Sequence, residues 1–244
     1  FEDGFVALDK ESCAFNELSC LNVCHAKALT VYGQRRSVGD ILRQVELDEM
    51  FYSRSNGGLT VTGGEPLMQE VFLLALLREA GRRHIHRAME TSSLAPEPVV
   101  LRAAALLDYA MLDVKSLNEA KHLEYTGVSN RLILSNIQAM RREFPDLPMH
   151  IRTPVIPGFN DTEEDIRAIA GFAAALAPER YELLPYHYMG RQKYRFIGRE
   201  YPMPEGGLDE DLFERLKELA LRICPGVGVV EKPRDEIFVP DLLN

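Results

Sequence analysis

Short apolar runs alternate along this chain with longer stretches in which apolar residues recur every three or four positions. The runs are GLTVT, IHRAM, YAMLDV, MHIRTPV and YELLPY. The stretches LMQEVFLLALLREAG, PEPVVLRAAALL, two segments ending near Phe144, and DTEEDIRAIAGFAAALA lie between them, and LDEDLFERLKELALRI follows the last. Unbroken or alternating apolar runs of this length predict strands, and a period near 3.6 predicts amphipathic helices. Repeated β-α units imply a parallel sheet with right-handed crossovers. Five or six strands are visible, counting a final run GVGVVEK, which is fewer than a closed eight-stranded barrel requires. The predicted fold class is therefore α/β, a partial (β/α) barrel of the TIM type with mostly parallel strands and its first strand missing.

Ahead of these units Ser37 stands where an N-cap belongs, and VGDILRQVELDEMFYSR behind it reads as one helix that SNGG ends. Residues 1–34 show no sustained period and close on ALTVYGQ, read as one short strand and a turn at Gly33. They are predicted to be a separate appendage, with residues 35–244 forming the barrel. After YELLPY a long loop is expected up to Gly207.

In a parallel barrel the carboxyl ends of the strands open onto one rim, and catalytic groups come from those ends. Here Glu65 follows GLTVTGG, Glu90 follows HIHRAM, Asp113 and Lys115 follow YAML, Arg152 follows MHI, and His187 follows YELLPY. One rim is predicted to carry the site.

Composition then narrows the partners. The 244 residues are 46% hydrophobic, enough for a sizeable core, and carry a formal charge of −9. That charge repels a polyanion, so nucleic acid is a poor partner. No apolar run approaches the ~20 residues that span a bilayer, and the acidic start FEDGFVALDKES is unlike a secretory signal, which makes a soluble, cytoplasmic protein the expectation. The chain begins at Phe1, so its amino terminus is read as incomplete. Four cysteines are too few for a disulfide framework. Cys13, Cys20 and Cys24 cluster, which points to thiol or metal chemistry, while Cys224 stands alone and reads as a buried thiol.

Each rim residue also has a plainer reading. Gly63 and Gly64 let backbone approach a ligand, or they simply make a tight turn before a solvent-facing Glu65. Glu90 and Asp113 supply hard oxygen donors, or they cap the next helix. Lys115 and Arg152 compensate a bound carboxylate, or pair with those same acids. A lone histidine such as His187 is more often structural than a ligand contact. The segment IPGFND at 156–161 reads as a Pro-Gly turn running into an Asn/Asp helix cap, with no chemistry of its own. The basic run Arg191, Lys193, Arg195 and Arg199, interleaved with Tyr194, Phe196 and Tyr201, greets a protein partner or is a solvated loop face.

Taken together, GGLTVTGGEPLMQ, AMETSS, MLDVKS, YTGVSN, IRTPVIPGFND and LLPYHYMGRQKY resemble, in order and spacing, the activating enzymes of glycyl radical enzymes. These form a branch of the radical S-adenosylmethionine superfamily that includes the pyruvate formate-lyase activase, and the resemblance covers about residues 28 to 201. Each motif is weak alone; their joint occurrence is specific. The resemblance implies that Gly63, Gly64 and Glu65 hold the amino group of S-adenosylmethionine. It implies that Glu90, Thr91, the Met111 carbonyl and Asp113 ligate a monovalent cation beside the cofactor's carboxylate, with Glu90 and Thr91 also near the cofactor. Lys115 and Arg152 contact the cofactor or its carboxylate, and His187 lies against the adenosine. Ser93 stands where the family usually has glycine, which puts the local turn in doubt.

No residue is assigned as catalytic in its own right, because the radical chemistry belongs to the cofactor. The resemblance implies that an electron from a reduced 4Fe-4S cluster cleaves the sulfonium, and that the resulting 5′-deoxyadenosyl radical takes a hydrogen from a glycine Cα of the partner. The implied partners are a glycyl radical enzyme and an electron donor such as flavodoxin or ferredoxin. The CxxxCxxC that holds the cluster is absent from these residues, so a chain truly lacking it is expected to bind the cofactor weakly and not cleave it. Residues 1–34 resemble the end of a ferredoxin-like insertion. For Cys13, Cys20 and Cys24 three accounts stay open: an auxiliary cluster completed by a further residue, a zinc or cluster site using His25, or idle thiols. The alternative function is a cluster-free S-adenosylmethionine-binding or regulatory module. A third, an aldolase-like barrel, would use Lys115 as a Schiff-base amine beside Asp113.

Overall fold

The computed structural model describes His25, residues 33–55, 57–196 and 199–201, Met203 and residues 207–225. Cys13, Cys20 and Cys24, the expected strand in ALTVYGQ and the expected final strand GVGVVEK lie outside these. Among the described residues five strands, β1 (Gly58–Val61), β2 (His86–Thr91), β3 (Tyr109–Asp113), β4 (Met149–Val155) and β5 (Arg180–Pro185), form one sheet in the order β1-β2-β3-β4-β5. Every neighbouring pair is parallel. Sequential order with helical crossovers is the open arc of a (β/α) barrel, as predicted.

The helices are α1 (Val38–Glu46), α2 (Glu49–Ser55), α3 (Glu70–Arg82), α4 (Glu97–Ala104), α5 (Glu119–Thr126), α6 (Arg131–Glu143), α7 (Glu163–Ala175), α8 (Arg191–Phe196) and α9 (Glu210–Ile223). Ser37 caps α1 as expected. Its hydroxyl accepts from the Asp40 amide at 3.1 Å and its own amide donates to the Asp40 carboxylate at 3.2 Å, a reciprocal capping box.

Three expectations need correction. The single helix expected from residue 38 onward is two, because the chain breaks at Leu47–Asp48 and the Asp48 carbonyl restarts it by accepting from Phe51 and Tyr52. Aspartate competes poorly inside helices and favours their starts. The loop expected after β5 contains α8. The cap of α7 is Thr162, whose hydroxyl accepts from the Asp165 amide at 3.1 Å, rather than Asn160 or Asp161.

Strand alternation divides the sheet into two faces. One carries Met89, Leu112, Met149, Ile151, Val155 and Tyr181, all fully buried, against Leu77, Val100, Ile137, Ile166 and Leu216 of the helices. This is the core, and burial of about 25 cal/mol per Å2 of apolar surface is what holds the helices on it. Cys224 is buried at its edge, and burial raises its thiol pKa. The other face is polar. Register aligns Glu90 with Met111 and His150, and Asp113 with Arg152 and Glu182, so these side chains share the concave side. Among the described residues no helix is long and apolar enough to cross a membrane.

Candidate functional site

Most of the sequence-predicted residues come together at the carboxyl ends of β1 to β3 and on β4, where Arg152, expected just after a strand, lies mid-strand in register with Asp113 because β4 runs on to Val155. The Arg152 guanidinium reaches across β3 and donates to both oxygens of Glu90, at 2.8 and 3.0 Å. It also lies 3.4 Å from Asp113. Lys115 donates to the other Asp113 oxygen at 3.1 Å. Two carboxylates and two cations thus form one partly buried chain, and a fork-to-carboxylate pair of this kind is directional as well as strong. Asp113 Oδ1 and Arg152 Nε are buried without a hydrogen-bond partner. Such orphaned groups carry a cost of about 1–3 kcal/mol each, which a bound polar ligand would relieve. This is the fit expected for a cofactor bearing both an amino and a carboxylate group.

Glu65 sits at the next turn, and its carboxylate is engaged with the end of β2. It accepts from the Thr91 hydroxyl at 2.6 Å, the Leu67 amide at 3.2 Å, and the Ser92 amide and hydroxyl at 2.9 and 2.6 Å. Gly63 adopts φ +131°, a region that L side chains rarely enter, and a Cβ at Gly63 or Gly64 would meet open space. His187 follows β5 by two residues and is exposed, apart from the ion-pair chain. In the segment beyond, which includes α8, Arg191, Lys193 and Arg199 are exposed, as are the apolar Met189 and Phe196.

Ser93 takes a backbone conformation that favours glycine. Its φ is +61°, it is fully buried, and its hydroxyl has no hydrogen-bond partner. A left-handed non-glycine residue costs roughly 1–2 kcal/mol. Ser93→Gly is expected to raise stability by about 1 kcal/mol after the larger chain entropy of glycine is deducted, read as a higher midpoint in urea.

Several contributors escaped the sequence reading. Three fully or almost fully buried asparagines pin the rim loops from behind. Asn136 donates to the carbonyls of Ser93 and Ala95, both at 2.8 Å. Asn130 donates to Ser116 at 2.8 Å, and Asn160 to Lys115 and Pro154 at 2.7 and 2.9 Å. The only signal for Asn160 was its motif IPGFND. Below the rim, His150 Nε2 lies 2.8 Å from Glu182, with both side chains more than nine-tenths buried. Burial, with the Arg180 and Arg152 charges, holds His150 down to about 4, and burial pushes the Glu182 carboxyl up. Both shifts disfavour a charged imidazolium–carboxylate pair.

Among the described residues no group of three or more His, Cys, Asp or Glu could hold a metal ion. Glu90 and Asp113 supply two carboxylates, which a cation site would have to complete with backbone or hydroxyl oxygens.

The profile of the Radical SAM superfamily matches residues 13–172. The isethionate sulfite-lyase activating enzyme of Nitratidesulfovibrio vulgaris is 48% identical over 216 residues, covering 88% of this chain and 70% of the relative. The (2S)-3-sulfopropanediol sulfolyase activating enzyme of Bilophila wadsworthia is 51% identical over 185 residues, 76% of this chain and 61% of the relative. Among solved structures, a domain of the pyruvate-formate lyase-activating enzyme from Bacteroides vulgatus aligns with a TM-score of 0.59 at 30% identity, covering 72% of this chain and 99% of that one.

Proposed function

Because this chain belongs to the radical SAM superfamily, among the activating enzymes of glycyl radical enzymes, we propose that it prepares a partner lyase that cleaves a carbon–sulfur bond in a sulfonate. The support for that partner class is the 48–51% identity to activases whose names carry sulfite-lyase and sulfolyase. Membership implies S-adenosylmethionine and a 4Fe-4S cluster. When bound, they supply the radical that removes a hydrogen atom from the partner's glycine.

The chain's own residues bind and orient. The single observation that carries this reading is the charge chain of Glu90, Arg152, Asp113 and Lys115 at the carboxyl rim, with two buried polar atoms still unsatisfied. On it, Arg152 and Lys115 hold the cofactor's carboxylate. The turn of Gly63, Gly64 and Glu65 takes the ammonium, and His187 lies against the adenosine. A monovalent cation sits among Glu90, Thr91, the Met111 carbonyl and Asp113. It offsets the charge lost when Arg152 turns from Glu90 to the cofactor, so cation and cofactor bind together. Cys13, Cys20 and Cys24 hold an auxiliary cluster. A flavodoxin or ferredoxin supplies the electron in the cytoplasm, and the segment 188–207, in which Met189, Arg191, Lys193, Phe196 and Arg199 are exposed, selects the partner.

Anaerobic iron–sulfur reconstitution of the full-length protein tests this. With dithionite and S-adenosylmethionine it should release 5′-deoxyadenosine and raise a glycyl radical signal in electron paramagnetic resonance on an isethionate sulfite-lyase. A signal on pyruvate formate-lyase alone would overturn the partner class. Failure to form 5′-deoxyadenosine would overturn the activity.

A further inference from the structure

Three tyrosines tie down a segment that is otherwise open to solvent. Beyond β5 the side chains of Met189, Arg191, Lys193, Phe196 and Arg199 are exposed, whereas Tyr186, Tyr194 and Tyr201 are half-buried. The Tyr186 and Tyr201 hydroxyls share a hydrogen bond at 2.5 Å, although they stand 15 residues apart in the chain. The Tyr194 ring meets Tyr201 edge-on, with centroids 5.1 Å apart and planes at 83°. Between them the Arg199 amide donates to the Tyr194 carbonyl at 2.9 Å. The segment is therefore closed on itself, and Tyr201 makes both of the side-chain contacts that close it.

What the closure holds in place is His187. β5 ends at Pro185, Tyr186 follows, and a short 3-10 turn at Tyr188–Gly190 leads into α8. His187 lies between these two fixed points with its own side chain exposed, so core packing does not set the direction of the imidazole. That direction is left to the loop.

We infer that Tyr201 is a positioning residue: it closes the segment from Tyr186 onward and thereby sets His187 for the adenosine of the cofactor. This rests on the reading that His187 lies against the adenosine. A loop already closed binds without the ordering cost that an open one must meet, and apparent affinity scales with the closed fraction. The hydroxyl bond and the aromatic edge contact each shift that fraction by a factor of about three to ten. Tyr201 does this without touching a cofactor atom.

The test uses the reconstituted full-length protein. Without cofactor, trypsin cleavage between residues 191 and 199 should quicken about threefold in Tyr201→Phe and about tenfold or more in Tyr201→Ala, because the rate follows the open fraction. Adding Tyr186→Phe to Tyr201→Phe should change nothing further, since the two hydroxyls make one bond. Equilibrium binding is then measured separately for 5′-methylthioadenosine and for methionine. The first should weaken by the same factors, and the second should keep its wild-type value. Equal weakening of both, or faster cleavage with unchanged 5′-methylthioadenosine affinity, overturns the inference. Unchanged cleavage in Tyr201→Phe overturns the loop closure itself. His187→Ala tells these failures from that of the reading beneath: wild-type 5′-methylthioadenosine affinity in that variant takes His187 away from the adenosine, whatever the cleavage rates show.

Discussion

Arg152→Met is expected to lower the unfolding free energy by about 2–4 kcal/mol, read as a lower urea midpoint with an unchanged slope. The reason is local charge. Arg152 holds both oxygens of Glu90 and stands 3.4 Å from Asp113, with its own side chain 18% exposed. Without it, two partly buried carboxylates share one rim with only Lys115 opposite them, and breaking a pair from one side costs more than removing both partners. The double variant Arg152→Met with Glu90→Gln should therefore be more stable than Arg152→Met alone, a coupling that a double-mutant cycle reads directly. Equal stability of the two would mean that the ion-pair chain does not form in solution. Affinity for S-adenosylmethionine should fall in both.

Asn160→Ala should cost about 3–5 kcal/mol although the residue touches no charged group of the site. Its amide nitrogen donates to the Lys115 and Pro154 carbonyls, and its oxygen accepts from the Ile156 amide at 2.7 Å. Asn160 is fully buried, so alanine leaves three backbone groups unsatisfied where water has little access. Asn160→Asp keeps only the bond to Ile156 and should recover a fraction of the loss. Because the Lys115 carbonyl is one of the released groups, cofactor affinity should fall with stability. An Asn160→Ala protein of wild-type stability would remove these buried bonds from the account.

Much of the fold was legible because it is built from local patterns. Parallel strands buried on one face read as short apolar runs, and all five described strands fall on the runs that signalled them. The breaks that failed were those decided by one residue or by tertiary contact. Asp48 splits a stretch whose periodicity is continuous, and α8 is a short helix in a segment whose basic and glycine content reads as loop. Thr162 wins the cap of α7 from Asn160 because Asn160 is drawn into the core by carbonyls 6 and 45 residues earlier in the chain.

The site was legible as a list of residues and not as a set of bonds. Strand-end position put Glu65, Glu90, Asp113, Lys115 and Arg152 on one rim. Which of them pair depends on register across strands, and Arg152 reaches past β3 to Glu90, 62 residues away. The engagement of Glu65 by Ser92 likewise depends on how the turn after β1 meets the end of β2. Ser93 is the exception, since a serine where the resembled family usually has glycine put the local turn geometry in doubt, and the residue adopts φ +61°.

The central claim is that the carboxyl rim of this sheet is a cradle for a sulfonium nucleoside. Photolabelling with an 8-azidoadenosine derivative of S-adenosylmethionine, followed by mass-spectrometric mapping, tests it most directly. The account predicts labelled peptides at the ends of β4 and β5 and in the 185–190 segment, competed away by unmodified S-adenosylmethionine. Competable labelling confined to the opposite ends of the strands, or to the outer faces of the helices, would contradict it.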